Sequence, residues 1–328
     1  MSLDRNDVFV NGGVNNKDYV YVISFFILLM LPFMFDFLAS SSIKSYGSIY
    51  LPIFFITFAG MGFALITRNK FTREVIYGTI KDDKKLFWSL LVGAGFGFLL
   101  ISSLIFGQNV LSFFKMDLPF SIGVVTSSAS SSDIALLVVI AIFAVEAEES
   151  FRASFLVPTF TKLRMPILFI FAGIVTLAVS QLYLATVVFF FFALVFAFSK
   201  TLNAKVMASN LDRHFSAILV AAVVFGMFHI YSYSGSGNEL SMIMSAILFA
   251  IIADIINWQL QNAVASRIAH SVNNAFVLAA TAGISFILAG LVVLVYAIII
   301  IMIWKTRPFT STVTMQNEPR RIRVAASG

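Results

Sequence analysis

Residues 284–304 read ISFILAGLVVLVYAIIIIMIW, twenty-one positions without one charged side chain. As a helix rising 1.5 Å per residue, such a run is about 31 Å long, close to the thickness of a bilayer's hydrocarbon core. Similar apolar blocks recur along the chain at 19–39, 46–67, 86–107, 134–158, 166–199, 215–233, 240–260 and 264–282. Of the 328 residues, 59% are hydrophobic and 12% are charged. Soluble domains average about 25% charged residues, so this composition excludes that class. In lipid each backbone amide needs an internal partner, which helices supply. The expected fold is all-α: a multi-pass transmembrane helical bundle of about nine or ten spans.

Block 166–199 decides between nine and ten. Its thirty-four residues form either one long helix or two that turn near Ser180–Tyr183. Basic residues sit at Arg68, Lys70, Arg73, Lys81, Lys84 and Lys85, at Lys162 and Arg164, at Lys200, Lys205 and Arg213, and along the tail from Lys305 to Arg323. Cytoplasmic loops carry such residues. Placing all four groups on one side makes 166–199 cross twice and puts both termini inside. The expectation is an integral multi-pass protein of the cell membrane, with basic loops and C-terminus cytoplasmic.

The chain then divides into a flexible segment 1–18, N-terminal helices and an extramembrane linker 19–133, a polar-bearing core 134–283, the last span 284–304 and a basic tail 305–328. The first block is longer than a signal-peptide core and is read as a retained helix. Ser132 or Asp133 would cap the helix that follows the linker. Cysteine is absent, which excludes disulfides, thiolate metal sites and a cysteine nucleophile. The net charge of +6 is accounted for by membrane-flanking loops, and nucleic acid is not an expected partner.

Ionisable side chains inside spans are costly and mark functional sites. Residues 144–155, AVEAEESFRASF, hold Glu146, Glu148, Glu149 and Arg152. On a helix Arg152 neighbours Glu148 at i+4 and Glu149 at i+3, so it neutralises and orients one carboxylate and leaves another over. Of three histidines, His229 and His270 fall in apolar blocks, and His270 shares a helix face with Asn274. His214 reads as interfacial, Arg267 as snorkelling to headgroups, and Asp36 as near a span end. Asp254 and Asn257 read as helix–helix hydrogen-bonding groups, with support of the site or a water path to it as the alternative, and the phenylalanines at 189–192 as lipid-facing bulk.

A carboxylate in an apolar site can take a proton from water. Two imidazoles can bind a metal ion or donate to a developing oxyanion, and Asn274 offers a further donor. The HExxH and GxSxG signatures are missing. Glu148, Glu149, Arg152, His229, His270 and Asn274 are therefore the candidate catalytic set, with His229, His270 and Glu148 as possible zinc ligands and no other cofactor expected.

The ordered series EESFR (148–152), FGMFH (225–229) and HSVNN (270–274) resembles the CPBP family of CAAX prenyl proteases and bacteriocin-processing intramembrane proteases. Its motifs are EExxxR, FxxxH and HxxxN/B. The resemblance covers roughly 134–283. It departs at the first motif, where only two residues separate the glutamate pair from Arg152. Either the helix carries a one-residue shift, or the base has moved to Glu148 or Glu149, or catalysis is impaired. Glu148 and Glu149 are the favoured functional pair, with Glu146 one turn earlier as a spare candidate. The resemblance implies a glutamate-activated water that cuts a membrane-associated protein or peptide, with the histidines and asparagine binding metal or the oxyanion. Two alternatives stand beside it: a catalytically impaired membrane scaffold or subunit of a membrane complex, and a proton- or cation-coupled transporter. Membrane lipids are partners in every case.

Overall fold

The structure is a computed structural model and describes residues 76–78, 82–113, 131–180, 183–228 and 239–306. The described residues form helices and connecting turns, with no strand among them. We number the helices α1 (Asp83–Phe113), α2 (131–160), α3 (Met165–Ser180), α4 (Tyr183–Phe198), α5 (Lys200–Ala208), α6 (Asn210–Phe228), α7 (Glu239–Leu260), α8 (Val264–Ala282) and α9 (Phe286–Thr306). The expected blocks 19–39 and 46–67, the part of the expected linker 109–133 that runs from 114 to 130, Asp36 and the tail beyond Thr306 lie outside the described residues; the linker's first residues belong to α1, and Ser132 and Asp133 lie inside α2 rather than capping it.

Among the described residues, three helical stretches are long and apolar enough to cross a membrane: Asp83–Ser103, Ile243–Leu260 and Phe286–Thr306. Taking α4 with α5 as one broken span, bent by 97°, raises that number to four. The apolar part of α3, Met165–Leu177, is shorter.

Block 166–199 is two helices. Thr176 and Thr186 meet hydroxyl to hydroxyl at 3.0 Å, and Phe169 stacks on Phe189 and Phe196. Residues early in α3 thus meet residues late in α4, which makes the pair an antiparallel hairpin. Phe191 and Phe192 are exposed, as the lipid-facing reading requires, whereas Phe189 is half-buried against α3. The stretch 200–213, whose basic residues are grouped with the loops on sequence, is α5 plus the start of α6. Ser199 caps α5 by accepting a hydrogen bond from the Leu202 amide.

Helix α8 runs through the middle of the bundle against α1, α2, α7 and α9. Gly93 and Gly97 set its distance from α1. A β-carbon at Gly93 would collide with the Ala265 carbonyl, and one at Gly97 would lie 2.7 Å from Val272 Cβ. This small-xxx-small spacing lets two backbones approach where lipid offers no hydrophobic drive for association. At the start of α8, the side chain of Asn262 accepts from the Val264 amide and donates to Ser89, tying the α7–α8 turn to α1. Gly283 ends α8 in a left-handed conformation, as glycine does at helix C-termini.

Two apolar cores result. One gathers Phe151, Phe155, Leu168, Ala221, Phe225 and Ala250 from α2, α3, α6 and α7. The other gathers Leu137, Val145, Ile268, Val272, Val292 and Ile300 from α2, α8 and α9. Helices α2 and α8 contribute to both, and their polar side chains lie along the seam.

Candidate active site

Helix α2 is not uniformly α-helical. Val139–Ala144 and Arg152–Leu156 are π-helical and flank the α-helical turn Val145–Phe151. Such i→i+5 stretches within α-helices recur at functional sites and shift side-chain register by one residue. The second begins at Arg152, the position where the spacing EESFR departs from EExxxR. The glutamates therefore sit on a regular turn bounded by two register shifts.

Arg152 is fully buried, and its guanidinium joins two helices. One terminal nitrogen donates to Glu149 Oε2 at 2.6 Å. The other pairs with Asp254 of α7 and donates to the Ala250 carbonyl at 3.2 Å. The rings of Phe225 and Phe249 lie 5.3 and 5.8 Å from its central carbon, within cation–π range. A guanidinium suits this place because its planar donors serve two carboxylates without losing charge.

Glu149 has its second oxygen on His270. The distance from Oε1 to Nδ1 is 3.0 Å, and the carboxylate is fully buried. A carboxylate held against a guanidinium accepts, so Nδ1 carries the hydrogen. That leaves Nε2 as the working nitrogen, an orientation device shared with histidines held by carboxylates elsewhere. Nε2 faces Glu148 Oε2 at 3.6 Å, longer than a direct hydrogen bond. Glu148 is the more accessible of the pair, its side chain 16% exposed against none for Glu149. Phe249 and Phe225 wall the His270 ring at 5.0 and 6.0 Å.

The expected set thus divides. Glu148, Glu149, Arg152 and His270 come together. His229 lies outside the described residues, just past the last described residue of α6, although Phe225 of the same motif reaches the site. Asn274 shares the half-buried end of the polar face, where its side-chain oxygen accepts from Asn273 at 3.4 Å. A direct role for Asn274 beside Glu148 gains no contact among the described residues.

Three readings need correction. Arg267 does not snorkel; it is fully buried and donates through Nε to Glu146 at 3.2 Å. Glu146, considered as a spare base, is occupied by Arg267, by Tyr296 at 2.6 Å and by Ser150 at 3.1 Å. His214 is not interfacial but buried, its ring stacked on Trp258 at 4.8 Å. Asp254 and Asn257, one turn apart on α7, have separate roles. Asn257 does bond across helices, donating to Ser266 at 2.9 Å. Asp254 belongs to the site as the second anion on Arg152. Its three-residue spacing from Asn257 gave no sign of this, because the partner lies about a hundred residues earlier.

Zinc takes four ligands, three of them from protein at catalytic sites. Here Glu148 and His270 converge, Glu149 is engaged on both oxygens, and no trio of His, Asp or Glu side chains able to hold a metal occurs among the described residues. The described residues do not by themselves fit a zinc site, and no chemical step is derived through one.

No family model, curated protein or solved structure matches the chain.

Proposed function

We propose that the protein is an intramembrane endopeptidase of the CPBP type. The observation that carries this reading is the trio Glu149–His270–Glu148, joined at 3.0 and 3.6 Å at the seam of an apolar bundle. Glu149 fixes the imidazole, and Glu148, the more accessible carboxylate, faces its other nitrogen through a buried oxygen. A water held between Glu148 and Nε2 gives up its proton to Glu148 as its oxygen attacks a peptide carbonyl. The proton then passes from Glu148 to the departing amine, and His270 orients the attack by accepting the water's other hydrogen at Nε2. General-base help of this kind contributes about 10²–10⁴-fold.

In this reading Arg152 and Asp254 are positioning residues, acting through Glu149. The shortened first motif supports it, because Arg152 still reaches a glutamate from i+3. The same pairing weighs against an impaired scaffold. The substrate is a membrane-associated protein or peptide.

Topology constrains the number of crossings. Glu146 pairs with Arg267, and three residues further along both helices Glu149 pairs with His270, so α2 and α8 run parallel here. Parallel spans need an odd number of crossings between them. Two crossings by 166–199, with one each for α6 and α7, would make four, so the ten-span arrangement gains no support from this pairing. We place the basic loops on the cytoplasmic side of the cell membrane.

The test is a comparison of membranes from cells expressing the wild type, E148Q or H270A. New N-termini on membrane proteins that appear with wild type and vanish in both variants would support the proposal. Identical N-termini in all three, with the proteins present at equal levels, would refute it.

A further inference from the structure

The site has a second polar cluster one helical turn away. Glu146 and Glu149 are one turn apart on α2, and Arg267 and His270 one turn apart on α8. Each glutamate meets its counterpart across the same interface. Arg267 uses every nitrogen: Nε on Glu146, Nη1 on the Ala263 carbonyl at 2.9 Å, and Nη2 on Ser150 at 2.9 Å and Ser154 at 3.4 Å. Ser150 relays back, donating to Glu146 at 3.1 Å. Tyr296 of α9 closes the cluster from the far side through its hydroxyl. None of these atoms touches the Glu148–His270 face.

The geometry points to a register clamp: Glu146, Arg267, Ser150 and Tyr296 fix the axial position of α2 on α8 so that Glu149 and Glu148 meet His270 on the next turn. Apolar packing alone sets helix register loosely, since sliding exchanges one methyl contact for another. An ion pair that engages every nitrogen of a buried guanidinium admits one register, because any slip leaves charge unpaired in a low-dielectric surround. The fully buried Ala263 carbonyl anchors Arg267 to the first turn of α8, which the Asn262 cap holds to α1. Helix α9, outside the stretch that carries the sequence motifs, thereby becomes part of the working core through Tyr296. Glu146, Arg267 and Tyr296 are positioning residues.

The inference rests on the proposed water-activating site only for its chemical purpose, and its test uses no substrate. The full chain is labelled with ¹⁵N-histidine and placed in lipid nanodiscs. The chain has three histidines, so the His270 signals are those lost in H270Q. In the wild type the expected tautomer is Nδ1–H, set by Glu149. In E146Q, R267Q and the neutral pair E146Q/R267Q, the Nδ1–H to Nε2–H ratio should fall by about tenfold, the change that 1.4 kcal/mol produces. Y296F should move it in the same direction by less. The neutral pair removes both charges at once, and Y296F removes a single hydroxyl, so these two remain readable where single charge removals do not fold. An unchanged His270 spectrum in either, with helical content retained, overturns the clamp. A changed spectrum together with a wild type that cleaves nothing would keep the clamp and refute the peptidase.

Discussion

Two buried arginines organise this protein, and they are built differently. Arg152 is shared by two carboxylates from two helices, Glu149 and Asp254, both shielded from the surroundings. Arg267 serves one carboxylate, Glu146, whose side chain keeps 24% of its exposure, and spends its other donors on hydroxyls and a carbonyl. The difference separates two jobs. Arg152 is surrounded by charge and aromatic rings, and its partner Glu149 hands the constraint on to an imidazole. Beyond Glu146, Arg267 meets only hydroxyl and carbonyl acceptors, and it bears on the imidazole only through the register of the two helices. The first network orients a reactive group, and the second holds two helices in register.

This contrast can be broken experimentally. The largest effect is expected from R152A, which leaves two buried carboxylates without their cation. Removing one partner of a buried pair costs about 3–5 kcal/mol. R267A should cost less, because Glu146 retains access to solvent and two other donors. Thermal unfolding in nanodiscs checks the order, and equal losses would erase the distinction drawn between the two networks.

Next is the split between neighbouring glutamates. E148Q should cost less stability than E149Q, because Glu148 keeps 16% exposure and stands 3.6 Å from His270, beyond a direct hydrogen bond, and it should abolish cleavage. E149Q should lower both, because Arg152 and His270 each lose an anionic acceptor. Parallel melting and cleavage measurements on the two variants read this directly. Stability loss in E148Q equal to that in E149Q would contradict the assignment of Glu148 as the accessible base.

A smaller change tests the frame that holds both networks. G97V places a branched side chain where Val272 already sits, and overpacking of this kind costs about 1–3 kcal/mol. G95V is its control, since nothing lies within 4 Å of a β-carbon there. Melting temperatures should drop for the first and hold for the second. The smallest expected effect is that of T186V in the α3–α4 hairpin, about 1 kcal/mol for one lost hydrogen bond, with no change at the site. An altered His270 spectrum in T186V would mean that the hairpin is coupled to the site, which the packing does not suggest.

What the sequence made legible follows from locality. Helix class and candidate spans could be read from apolar runs, because run length and charge are properties of neighbours. The meeting of Glu149 with Arg152 was equally readable from i,i+3 spacing. His270 at the glutamates came from motif order. The turn near Ser180–Tyr183 was placed by charge alone, and the hairpin agrees with it. Asp254, Tyr296 and the Glu146–Arg267 pair were not legible as partners, because each contact joins residues about a hundred or more positions apart and nothing in either local stretch names the other. Arg267 was misread for a physical reason: an arginine near a helix start ordinarily reaches for headgroups, and only the presence of Glu146 on the facing helix makes burial tolerable. The first π-helical stretch left no mark, since composition does not distinguish i→i+5 from i→i+4 bonding in an apolar helix, whereas the second begins where the EESFR spacing had raised a one-residue shift as one of three readings.

The central claim is that Glu148, faced by a His270 held by Glu149, activates water inside the bundle. The most direct measurement reconstitutes purified full-length protein with membrane-anchored peptides in H₂¹⁸O and weighs the products. The account predicts fragments with one ¹⁸O in each new C-terminal carboxyl for the wild type and a loss of about 10²–10⁴-fold in E148Q. Wild-type protein whose His270 spectrum shows the Glu149-held tautomer but which yields no ¹⁸O-bearing ends, or yields them equally in E148Q, would contradict it.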